Sequence, residues 1–221
     1  MKRLHARFVV PFFAPYRAFF AQSDVTSMVV IAWLSRMPVG MMGLAMLMYM
    51  RESLGDFKVA GSVVGVYFVA MAVFAPACGR IIDRIGPLWP LRITGVLNSV
   101  FLWLLFTIVT LKMSTAIIMI AAVFAGAFAP PIAVLTRTLW RHRFPDEVNR
   151  RMAFSVDSIM IELNFTIGPA LIALVIAAFG ATVAFVLALR PRLLRSLFFY
   201  SHPRSATGGR SRTSSAIFSA P

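Results

Sequence analysis

Five apolar stretches, each long enough to cross a bilayer, decide what this chain can become. A spanning helix needs roughly 20 apolar residues to match a hydrocarbon layer ~30 Å thick. Residues 27–50, 59–78, 93–111, 114–135 and 153–179 each meet that demand. Lipid offers backbone amides no partners, so such stretches must be helices that satisfy their own hydrogen bonds. Composition agrees. Hydrophobic residues make up 59% of the chain and charged residues 14%, against ~25% charged in a soluble domain. So little polar surface cannot cover a water-soluble globule. The expected fold is an all-α membrane bundle of five complete transmembrane helices and an incomplete sixth. That sixth starts at "ATVAFVLAL", residues 181–189, and meets Arg190-Pro191. About nine helical residues rise only ~13 Å, under half of the layer.

The net charge of +14 would suit nucleic acid if it lay along one face. Here it lies in clusters between the apolar runs, with no zinc-finger spacing and no aromatic RNA-binding motif, so nucleic acid is excluded as a partner. The clusters set an orientation instead. With the amino terminus inside, the outer loops hold only Arg51, Lys58 and Lys112. Every other Lys or Arg except Arg36 falls in an inner loop or a terminal segment. A multi-pass protein of the plasma or inner membrane, with a cytoplasmic amino terminus, follows.

The ends differ from the bundle. Residues 1–26 are basic and aromatic and are expected to lie at the membrane surface. Pro11, Pro15 and Arg17 interrupt any signal-peptide core there. Residues 190–221 turn abruptly to Arg and Ser without an acidic residue, the composition of a disordered tail. Such a change in mid-span is expected of a frameshifted or truncated product. The other reading is a genuine basic tail that binds anionic lipid. Cys78, the single cysteine, has no internal disulfide partner.

The turn after the second span reads "GRIIDRIGPLWPLR". Gly79, Asp83, Arg84 and Gly86 in it resemble the signature loop of the major facilitator superfamily, and the loop falls between helices two and three, where that family carries it. Pro87 and Leu88 depart from the basic residues usual there. "SRMPVGM" in the first span and "RTLWRHRFPDEVNRRMAFSVDSIMIELNFTIGPAL" across the fourth and fifth resemble a bacterial efflux-type subgroup. The resemblance covers about residues 27–189. It implies a twelve-helix permease of two six-helix halves, of which this chain holds the first, with the second half supplied elsewhere. It also implies a small-molecule substrate, protons as a coupling partner, and a conformational lock around Asp83, Arg84 and Arg137. Of the family's antiporter signature in helix five, only Gly168-Pro169 is present. Asn164, Ile172 and Ala173 stand at its glycine positions, which counts against proton-coupled export.

Prolines and glycines mark places where spans can bend or pack. Pro38, Pro130, Pro131, Gly168 and Pro169 are candidate kinks in spans one, four and five. Gly61 and Gly65 make a small-residue face on span two, which suits close helix packing.

Three ionisable residues lie well inside spans: Arg36, Asp157 and Glu162. Such charges are costly and face the bundle interior or a wet cavity. Counted from the inner ends of their spans, Arg36 and Glu162 both sit ~13 Å deep and Asp157 ~6 Å. Depth matching therefore expects an Arg36–Glu162 pair, with Asp157 turned ~140° away toward Arg137 or Arg151. The pair would either fix helix register or line a cavity that senses substrate or proton. No catalytic arrangement, metal spacing or cofactor motif is present. His5, His142 and His202 lie in separate basic segments. A transporter, truncated in this form, is the leading expectation. A non-transporting membrane fragment or small packing partner is the alternative.

Overall fold

The computed structural model describes residues 16–22 and 24–189. Six helices carry the bundle: α1 Val25–Leu54, α2 Phe57–Ile85, α3 Leu88–Thr110, α4 Thr115–Ala127, α5 Ile132–Arg143 and α6 Glu147–Phe179. Residues 16–20 and 181–189 are also helical, and no strand occurs among the described residues. The expected tail, 190–221, and most of the amino-terminal segment lie outside the described residues. Among the described residues, five stretches are long and apolar enough to cross a membrane, and α4 with α5 together form one of them.

The helices outrun the apolar stretches that announce them. α2 continues past 78 to Ile85, α3 begins at Leu88 rather than 93, and α6 begins at Glu147 rather than 153. Polar residues at a membrane surface can keep helical hydrogen bonds while their side chains reach water, so hydropathy marks the lipid-buried part and not the helix. Local caps set the true ends. Asp56 accepts from the Lys58 amide at 2.7 Å, and Asp146 from the Asn149 amide at 2.9 Å. Each thereby serves one orphan donor of a first turn. The signature "loop" is thus mostly helix. Gly79, Asp83 and Arg84 lie in α2, and Gly86 ends it with φ +82°. A side chain there would strain the backbone, which is why glycine closes the turn into α3.

Pro38 and Pro169 leave their helices continuous. Pro130 and Pro131 do not, and span four is broken between Ala127 and Ile132. Two consecutive residues without an N–H remove successive helical bonds, which one proline does not.

α1 lies along α6 and borders α2; α2 packs on α4, and α4 on α3. Close approach happens at three glycines. A Cβ on Gly126 would fall 2.1 Å from the Tyr67 carbonyl oxygen. One on Gly40 would fall 2.5 Å from the Asn164 carbonyl oxygen, and one on Gly168 2.9 Å from the Gly40 carbonyl carbon. The Gly61–Gly65 face has nothing within 4 Å, so the packing expected of it is not made among the described residues.

The core runs from Met42, Met46 and Tyr49 of α1 through Tyr67, Leu102, Leu105 and Ile118 to Phe185. Tyr49 stacks between Phe106 and Phe185. A second cluster of Phe19, Val25, Val29, Trp140, Phe144, Ala153 and Val156 closes the end that carries Asp24 and Arg143, here termed the basic end. Outward faces are apolar, with Val73, Leu174 and Ile31 each more than 60% exposed. A patch so extensive belongs in lipid, not water.

Candidate functional site

The interior of the α1–α6 seam is polar. Arg36 Nη1 donates to Asp157 Oδ1 at 2.7 Å and Nη2 to Oδ2 at 3.2 Å. Both residues are 5% exposed. Trp140 of α5 donates its Nε1–H to the same Oδ1 at 3.3 Å. One carboxylate therefore ties three helices together, and its forked, charge-assisted contact with arginine is the strong kind.

This corrects the expected Arg36–Glu162 pair. The seam shows why depth matching failed. Asn164 Nδ2 donates to the Arg36 main-chain carbonyl at 2.9 Å, so the Arg36 backbone lies near the level of Asn164. Its side chain does not stay there. Helical side chains lean toward the helix amino terminus, and an arginine reaches ~6 Å or more along that direction. Arg36 and Asp157 meet across an offset that a comparison of Cα depths ignores. α1 and α6 run parallel, since partners advance together from Arg36–Asp157 to Gly40–Gly168.

Azimuth settles the rest. Asp157, Asn164, Gly168 and Ile172 recur at seven, then four, then four residues and are all buried, so one face of α6 meets α1. Glu162 stands off that face. Its side chain is exposed and joins no ion pair among the described residues. Arg151, offered as a partner for Asp157, pairs with Glu147 one turn away. Arg137 is exposed, with no ion pair among the described residues. Asp83 and Arg84 are likewise exposed and unpaired on the last turn of α2.

Three residues escaped the sequence reading of this site. Trp140 carried no signal beyond its place in a quoted motif. Asn164 could have been found from its seven-residue spacing to Asp157. Its Oδ1 is buried with no hydrogen-bond partner among the described residues. Asp24 was overlooked because it lies just outside α1. It accepts from Arg143 Nε and Nη2 at 2.7 and 2.8 Å, closing α5 onto the entry to α1. No group of three His, Cys, Asp or Glu is gathered for a metal among the described residues.

Hydrogen bonds from the Arg143 guanidinium hold the Asp24 carboxyl below its ordinary pKa. A depressed carboxyl contributes stability that is present above its unfolded pKa, about 3.9. That stability fades as pH falls through the lower folded value. Asp24→Asn is therefore expected to flatten the acid side of the melting-temperature profile between about pH 5 and pH 3. It should leave the neutral-pH profile nearly parallel to wild type. Profiles with equal acid slopes would show that the pair does not hold in solution.

The chain matches the family model of the Major Facilitator Superfamily over residues 28–214. No curated protein and no solved structure gives a match. The match takes in all five apolar spans, the α2–α3 turn and the α1–α6 seam, and it continues into the basic segment after residue 189. With helices of spanning length packed around that polar seam, this chain belongs to the major facilitator superfamily, a family of membrane transporters.

Proposed function

We propose that this chain is the amino-terminal six-helix portion of a twelve-helix permease, one that moves a small molecule by alternating access. The observation that carries the reading is the family match across the spans. The helical segment 181–189 supports it as the start of a sixth span. The basic end then faces the cytoplasm by the positive-inside rule, with the plasma or inner membrane as the site of action.

In this reading the Arg36–Asp157–Trp140 cluster fixes the register of α1, α5 and α6. It gives those helices one rigid surface against which the other half rocks. Asp83 and Arg84 project from the α2 end toward the second half and stand ready to lock one conformation. Gly61 and Gly65 leave a smooth face on α2 for a helix of that half.

Vesicles holding only the purified chain are expected to show no solute flux or counterflow. Translating the coding DNA past the Leu189 codon in its other two frames is expected to give six further apolar segments. Flux by the isolated chain would overturn the half-transporter assignment. Absence of further segments would favour a small membrane packing partner.

A further inference from the structure

The end of the bundle away from Arg143 holds a cavity of about 230 Å³ between α1, α3 and the helical segment 181–189. Tyr49 and Glu52 of α1, Phe106 and Thr110 of α3, Lys112 just beyond α3, and Thr182 line it. Tyr49 is buried and forms the floor, where the hydroxyl protons are already spent. Thr110 Oγ1 donates to the Phe106 carbonyl at 2.8 Å. The Tyr49 hydroxyl lies 3.0 Å from that carbonyl and 2.9 Å from Thr110 Oγ1, so its proton goes to one of these two oxygens. A neutral ligand finds no free hydroxyl donor on that floor.

Charges stand at the rim. Glu52 and Lys112 are both exposed, and neither joins an ion pair among the described residues, although they line one cavity. Arg51, the cation beside Glu52 in the chain, lies over the Phe57 ring, 5.1 Å from its centroid. Lys112 is held in a tight reversal. Its amide reaches the Val109 carbonyl at 2.9 Å, and the Met113 amide reaches the Ile108 carbonyl at 3.2 Å. Its φ of +50° is the single left-handed value of a non-glycine residue among the described residues, a conformation that costs a lysine energy. Thr182 sits in the first turn of the 181–189 helix. Amides there lack helical acceptors, and the helix dipole favours an anion. The cavity thus offers an anion Lys112 and first-turn amides, and offers a cation Glu52.

A ligand that answers both charges carries an anion and an ammonium on one short frame. Its setting says what holds that frame. Glu52 and Lys112 lie at the ends of the spanning helices α1 and α3, where a bilayer has headgroups and not tails. Leu111, next to Lys112, and Phe179, one turn before Thr182, are 67% and 69% exposed. They give acyl chains an apolar surface beside the cavity. We propose that the cavity binds the headgroup of a zwitterionic phospholipid. The phosphate meets Lys112 and the amino terminus of the 181–189 helix, and the ammonium meets Glu52. Such a site requires the bilayer alone and holds whether or not the chain transports.

The full chain in detergent would be titrated with dihexanoyl phosphatidylethanolamine, dihexanoyl phosphatidylcholine, dihexanoylglycerol and free phosphoethanolamine, and its melting temperature followed. The ethanolamine lipid is expected to bind tightest. It should exceed the choline lipid about threefold, because a quaternary ammonium has no N–H for Glu52 to accept. Dihexanoylglycerol, which lacks both charges, should be inert. Lys112→Gly removes the cation while glycine takes φ +50° freely, and it should weaken both phospholipids about fivefold, the worth of one exposed charge pair. Glu52→Gln should weaken the ethanolamine lipid about fivefold and remove its advantage over the choline lipid. Both positions are exposed, so both variants keep the fold. The site is overturned if dihexanoylglycerol binds as tightly as the ethanolamine lipid, or if either variant binds that lipid as the wild type does. Free phosphoethanolamine binding as tightly as its lipid would overturn the choice of a phospholipid as the occupant.

Discussion

Arg36→Ala is expected to cost the fold about 3–5 kcal/mol, the usual penalty for stranding one partner of a buried ion pair. Asp157 would lose its charged partner and keep only the Trp140 indole, at 3.3 Å, as donor to its carboxyl. Asp157→Ala should cost about as much, because Arg36 cannot neutralise itself by losing a proton. Arg36→Leu with Asp157→Leu should recover most of the loss, since neither charge then remains to be desolvated. Glu162→Ala, by contrast, should change stability by no more than ~0.5 kcal/mol, as an exposed group with no ion-pair partner among the described residues. Chemical or thermal unfolding of the four variants checks this. If Glu162→Ala proved as damaging as Arg36→Ala, the pairing seen across the α1–α6 seam would be wrong.

The second large effect is expected at Gly126. Its Cβ position lies 2.1 Å from the Tyr67 carbonyl oxygen and 3.0 Å from the Ala70 Cβ. The nearest obstacle is backbone, which cannot swing aside like a flexible side chain. Gly126→Ala must therefore push α2 away from α4 or bend one of them. A cost of about 3 kcal/mol is expected, the upper end of the range for overpacking. The same change at Gly61 meets nothing within 4 Å. There alanine should be neutral within this chain, or stabilising by up to ~1 kcal/mol through helix propensity. Equal costs at Gly126 and Gly61 would mean that the α2–α4 contact is looser than its geometry.

These two glycines show the limit of motif reading. Gly61 and Gly65 have the recognised spacing and face nothing among the described residues. Gly126 belongs to no such pair within α4 and bears the tightest approach. Spacing identifies a face that can pack closely, but a partner helix must be there to use it. The charged residues repeat the point. Their presence in the spans was plain, and the depth of the Arg36 backbone was close to right. The partner was missed because a guanidinium reaches well below its own Cα, and because Glu162 lies off the face that meets α1.

The sequence alone determined that the chain is helical and crosses a membrane, where its spans lie, and that the second turn resembles a transporter family's signature. Those properties are sums over neighbouring residues: apolar length, clusters of basic charge, glycine where φ is positive. Only the tertiary structure decided that Asp157 takes Arg36, that Glu162 stays open, that Asp24 holds Arg143 and that two prolines break span four. Each of these depends on the direction and reach of a side chain, or on which backbone lies opposite. Such distances are set between helices far apart in the chain, and no local pattern records them.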